Sequence, residues 1–128
     1  MVTTGLTKED SETIGFVVAS LFSSAIDTGE LREWAVLTVG EMDVSEMPGY
    51  LLDLMEFDGP LSSVYRIVGF DPVWNRSDDE DLALTGLAIK RNKKIYDMPA
   101  SPDAIQQSLS ENHEVEEMFR RIFPFINF

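Results

Sequence analysis

Ile14, Val17, Val18, Leu21, Phe22, Ala25 and Ile26 recur at steps of three and four, a spacing that gathers them on one side of an α-helix. No stretch of the chain alternates apolar and polar residues for long enough to demand a sheet, and no internal repeat or heptad run competes with the helical reading. The chain is therefore expected to be all-α, and what remains is to find where its helices start and stop.

Thr7 ahead of Lys8-Glu9-Asp10 reads as the N-cap of the first helix, with acids at the positive end of the helix dipole, and Gly29 reads as its C-cap. Residues 30–39 carry Leu31, Trp34, Ala35 and Thr38 on one side and predict a second helix, joined to the first by a tight turn as an antiparallel hairpin. Gly40 and the polar run 41–46 belong to its last turns or to a loop, and Pro48 disfavours helix at Met47. A short, buried third helix follows over 49–57. Leu61, Val64, Tyr65, Ile67 and Val68 permit a fourth helix or a strand, with the helix favoured, and Asp71-Pro72 marks a turn.

Ser77-Asp78-Asp79-Glu80 is a capping box that opens a fifth helix, whose far end carries Lys90, Arg91, Lys93 and Lys94, the sign that suits a helix C-terminus. Ser101-Pro102-Asp103 restarts the chain as N-cap and N1 proline, and a polar break at 110–113 favours two helices over one in the region 104–123. Aromatic residues persist past Pro124 to Phe128; either this tail folds back over the core, the favoured reading, or it offers an apolar patch to a partner. The sum is a compact bundle of about six to seven helices, a single domain over residues 1–128.

Charge narrows the partners. The formal net charge is −13, from 23 acids and 10 bases. Residues 1–58 hold 12 of the acids and 2 of the bases, so the imbalance sits mainly in the first half. A surface of this sign repels phosphate backbones and anionic membranes and speeds encounter with a basic protein. The absence of cysteine removes disulfides, thiolate nucleophiles and sulfur-ligated zinc, and fits a cytoplasmic location. The opening run from Met1 to Asp10 has no basic segment followed by an apolar stretch, and no apolar run approaches the roughly 18 to 20 residues of a membrane span, so neither secretion nor insertion is expected.

Catalytic patterns are missing. His113 is the sole histidine, between Asn112 and Glu114, and reads as a solvated residue. The acids of 78–81 lack the alternate spacing and central glycine of a calcium loop. The glycines stand singly and cradle no phosphate, and no Gly-x-Ser-x-Gly elbow occurs. Trp34, Tyr50, Phe57, Tyr65 and Trp74 read as packing residues. No catalytic residue, metal or cofactor is expected, and the chain reads as a binding protein.

One stretch resembles a known group. Ala25-Ile26-Asp27-Thr28-Gly29-Glu30-Leu31-Arg32-Glu33-Trp34-Ala35, followed by Pro48-Gly49-Tyr50-Leu51-Leu52-Asp53-Leu54, is similar to small helical bacterial proteins in which a helix, a glycine turn and a Trp-bearing helix precede a Pro-x-x-Leu-x-x-Leu segment. Such proteins occur among the immunity proteins of contact-dependent growth inhibition and related polymorphic toxin systems. The resemblance covers residues 14–57. It implies a cytoplasmic antitoxin that binds the C-terminal toxin domain of a cognate effector, often a nuclease, and blocks its active site or substrate groove. It brings no catalytic motif, so the binding residues follow from charge: Glu30, Glu33, Glu41, Asp43 and Glu46 on the second helix and its loop, with Asp53, Glu56 and Asp58 beside them. An acidic adaptor for another basic protein and a small enzyme using carboxylates alone are the other readings. Pairing of the bases 90–94 with the acids of a second copy leaves monomer and homodimer both open.

Overall fold

The computed structural model describes residues 4–95 and 97–128; the first three residues of the N-terminal run and Tyr96 lie outside the described residues. Among the described residues there are seven helices and no strand: α1 (Glu12–Phe22), α2 (Thr28–Glu41), α3 (Tyr50–Leu54), α4 (Ser63–Val68), α5 (Asp78–Lys90), α6 (Pro102–Glu111) and α7 (His113–Ile122). The all-α expectation holds, and the ambiguous fourth segment is a helix. No helix among them is long and apolar enough to cross a membrane. Two compact units form, one from Met1–Val18 with Asp27–Trp74 and the other from Ala19–Ile26 with Asn75–Phe128.

In the first unit, α1 begins later than its sequence pattern predicts. Thr7 closes a turn of its own, its N–H donating to the Asp10 carbonyl at 3.0 Å and its Oγ1 accepting from the Asp10 N–H at 3.3 Å. Ser11, just ahead of the helix, is held from residue 73 instead: the Val73 N–H donates to its Oγ at 2.8 Å. A Cβ at Gly15 would stand 2.5 Å from the Trp74 nitrogen and 2.6 Å from the Val73 carbonyl carbon, so the 73–74 backbone lies directly on the helix and only glycine admits it. The Phe16 and Trp74 rings meet edge-on at 4.8 Å beside that crossing.

The end of α1 is also corrected. It stops at Phe22, Ser24 takes a left-handed φ of +71°, and Ala25 and Ile26 stay buried outside the helix. Gly29 is not a C-cap but part of the first turn of α2. Asp27 caps that helix in a box with Glu30: the Glu30 N–H donates to Asp27 Oδ1 at 2.8 Å and the Asp27 N–H to Glu30 Oε1 at 3.0 Å. Two reciprocal bonds set the helix start where a lone glycine would have set a stop. The expected α1–α2 hairpin does not form; α2 packs on α3, and α3 on α4. Leu31, Trp34, Ala35 and Thr38 supply the buried face of α2, as their spacing predicts. Arg32 Nη1 donates to the Phe57 carbonyl at 2.8 Å, fastening α2 to the chain leaving α3. Tyr50, at the start of α3, donates its buried hydroxyl to the Leu6 carbonyl.

The second unit keeps closer to the sequence reading. Ser77 and Glu80 form the capping box of α5, and Ser101 caps α6 with Pro102 in its first turn. A Cβ on Gly86 would approach Leu109 Cβ at 2.9 Å and the Ile105 carbonyl at 3.3 Å, so this glycine lets α5 and α6 pack at backbone range. Asn112 divides α6 from α7. The C-terminal tail folds back: Phe123 and Ile126 are buried, the Phe119 and Phe123 rings are 4.8 Å apart, and the Arg120 guanidinium lies 4.0 Å over the Phe128 ring.

Candidate functional site

Glu30 is half-buried in the capping box of α2 and has a structural role there. The other seven predicted residues, Glu33, Glu41, Asp43, Glu46, Asp53, Glu56 and Asp58, are exposed, and among the described residues none of them has a side-chain hydrogen bond or ion pair. They belong to α2, α3 and the segments that follow each, all within the first unit. That unit carries 13 acids against Lys8, Arg32 and Arg66, a net of −10; the second carries 10 acids and 7 bases, a net of −3. Arg32 donates to the Phe57 carbonyl rather than to a carboxylate, and three cations offset only a minority of the thirteen acids.

Glu46 also lines a shallow cleft of about 270 Å³ with Leu6, Asp10, Met42 and Pro48. Tyr50 holds the wall of this cleft through its bond to Leu6, and burial pushes its hydroxyl well above the ordinary phenol range, so it remains a donor at all physiological pH. Asp10 and Glu46 are the charged groups on the lining, which gives the cleft the same sign as the surface around it.

Charge reasoning missed the apolar residues interleaved with these acids. Val36 and Leu37 on α2 are 47% and 44% exposed, and Val44 and Leu52 are exposed beside Asp43 and Asp53. The helical period contained the signal, because it places 33, 36, 37 and 40 opposite the buried face of Leu31, Trp34, Ala35 and Thr38. Trp34, Tyr50, Phe57 and Trp74 are buried as packing residues, whereas Tyr65 is exposed.

The remaining candidates are occupied by structural roles or are isolated. Lys90 bridges both Glu116 oxygens at 3.0 Å, and Arg91 Nη1 donates to the Ala25 carbonyl at 2.5 Å, so these two bases of the 90–94 cluster are engaged within the second unit. Two effects compete at Glu116: burial raises its pKa, but hydrogen bonds from Lys90 and Arg120 outweigh that and hold the carboxyl below the usual glutamate range. His113 is exposed at the start of α7, and the only buried hydroxyl without a partner among the described residues, that of Ser20, has no hydrogen-bonded base. No group of three or more His, Cys, Asp or Glu is placed to hold a metal ion among the described residues. The arrangement offers an acidic surface with apolar residues set into it, the makings of a contact with another protein. Comparison with known proteins finds no matching family model, no matching curated protein and no matching solved structure.

Proposed function

We propose that this chain is an immunity protein that works in the cytoplasm, binding and neutralising the C-terminal toxin domain, a nuclease in the favoured case, of a cognate contact-dependent growth inhibition effector. The observation that carries the reading is the set of seven exposed, unpaired carboxylates on and after α2 and α3 in a unit of net charge −10. A nuclease presents basic residues to phosphates, and a surface of fixed carboxylates competes for them while steering the encounter. The resemblance over residues 14–57 points the same way. Its glycine turn is absent, since Gly29 sits inside α2, while its Trp-bearing helix and Pro-x-x-Leu-x-x-Leu segment stand as α2 and α3.

The test is co-expression with the C-terminal domain of the polypeptide encoded directly upstream, read by pull-down and by growth. Binding with restored growth is expected. Reversing Glu41, Asp43 and Glu46 together to lysine is expected to weaken the complex by roughly a hundredfold or more and to abolish protection, since close charge pairs at such interfaces couple by several kcal/mol. An unchanged affinity moves the interface off this loop. Binding to a domain that is not toxic favours the acidic adaptor instead.

A further inference from the structure

Gly40 lies inside α2, one residue before its end, and nothing in the fold requires a glycine there. Its φ is not left-handed, a Cβ built on it meets no atom within 4 Å, and the helix is closed two residues later by Met42 in an extended conformation. Gly15 and Gly86 admit a backbone or a neighbouring helix at contact distance, and a Cβ on Gly29, in the first turn of α2, would face the capping Asp27 carboxylate at 3.4 Å. A glycine weakens a helix, and one that serves no internal contact leaves room for an external backbone to approach. Helical geometry puts Gly40 on the midline opposite the buried face, with Val36 and Leu37 to either side, Glu33 on the same line two turns earlier and Glu41 at the edge beside Leu37. Val36 and Leu37 are about half exposed, and both carboxylates are unpaired.

We propose that this outward face of α2 is the seat of an amphipathic basic helix supplied by the partner, with the partner's apolar residues against Val36 and Leu37, its backbone drawn close over Gly40, and its lysines or arginines paired with Glu33 and Glu41. The inference rests on the reading of the chain as a binder of a basic protein and names the contact it makes. Charge complementarity selects the occupant. A second copy of the chain would bring another unit of net −10 against the same face, whereas a basic helix relieves the repulsion and covers the apolar residues together.

The probe is a synthetic helix of about 20 residues with leucines at heptad a and d positions and lysines elsewhere, beside a scrambled peptide of the same composition. Binding is followed by amide chemical shifts of the full chain. Saturable shifts confined to residues 33–44 are expected for the amphipathic peptide alone. Gly40→Leu and Leu37→Ser should each weaken it roughly tenfold or more, the range of a buried interface anchor. Both positions are exposed, and a thermal melt of Gly40→Leu at or above the parent's shows that the helix is intact. Equal binding of the scrambled peptide, shifts elsewhere, or no binding overturns the seat. So does a homodimer that Leu37→Ser dissolves. Carried into the co-expression assay, the same variants separate the two ideas. Wild-type protection that survives both substitutions overturns the seat and leaves immunity standing; peptide binding at α2 without any binding of the toxin domain overturns immunity and leaves the seat.

Discussion

A methyl group added at Gly86 would stand 2.9 Å from Leu109 Cβ and 3.3 Å from the Ile105 carbonyl, so α5 and α6 would have to separate to admit it. Overpacking of this kind costs about 1 to 3 kcal/mol, and Gly86→Ala is expected to lower the unfolding free energy by that amount in urea titration. Gly40→Ala should act in the opposite direction, raising stability by about 0.5 to 1 kcal/mol, because the added Cβ meets nothing and the unfolded chain loses freedom. A loss of stability at Gly40 would mean that the fold itself uses this glycine, and that no external partner is needed to account for it.

Between elements, the cluster of Glu116 on α7 with Lys90 at the end of α5 and Arg120 one turn on is the best-defined ion-paired group among the described residues, at 3.0 Å from each cation. Because Glu116 is held below its ordinary value of 4.5 in the fold, its contribution is fully present above that value and is lost as the pH falls through the lowered one. Solvent screening limits the contribution to about 0.5 to 1 kcal/mol. Glu116→Gln should therefore be less stable than the parent at pH 7, and the two unfolding curves should converge in acid, where both side chains are neutral. A gap that persists at low pH would assign the loss to packing rather than to charge. Elsewhere the capping boxes of α2 and α5 mark helix starts through bonds that span three residues.

At the scale of the molecule, the carboxylates of the first unit repel one another in the folded state, and salt screens that repulsion over a Debye length of about 10 Å at 0.1 M. Raising sodium chloride from about 10 to about 200 mM should raise the midpoint of thermal unfolding, followed by circular dichroism, and slow association with the upstream-encoded toxin domain, followed by stopped flow. The two readouts move in opposite senses only if the same charges strain the fold and steer the partner. An association rate indifferent to salt would place the interface away from the acidic surface.

The helical class, the starts of α5 and α6, the division at Asn112 and the exposure of Glu33 and Glu41 are legible because each rests on groups within about four residues of one another, the range of a cap or a helical period. The start of α2 is written in the same range, in Asp27 and Glu30, but Gly29 between them offers a competing signal for a helix end. What the chain could not announce locally is the approach of distant backbone. Residues 73–74 lie on Gly15 and take the hydroxyl of Ser11, so α1 begins at Glu12 and has no hairpin partner in α2. The candidate surface divides in the same way: composition and period mark its carboxylates and set Val36, Leu37 and Gly40 opposite the buried face of α2, but only tertiary packing decides that no neighbour arrives to cover them.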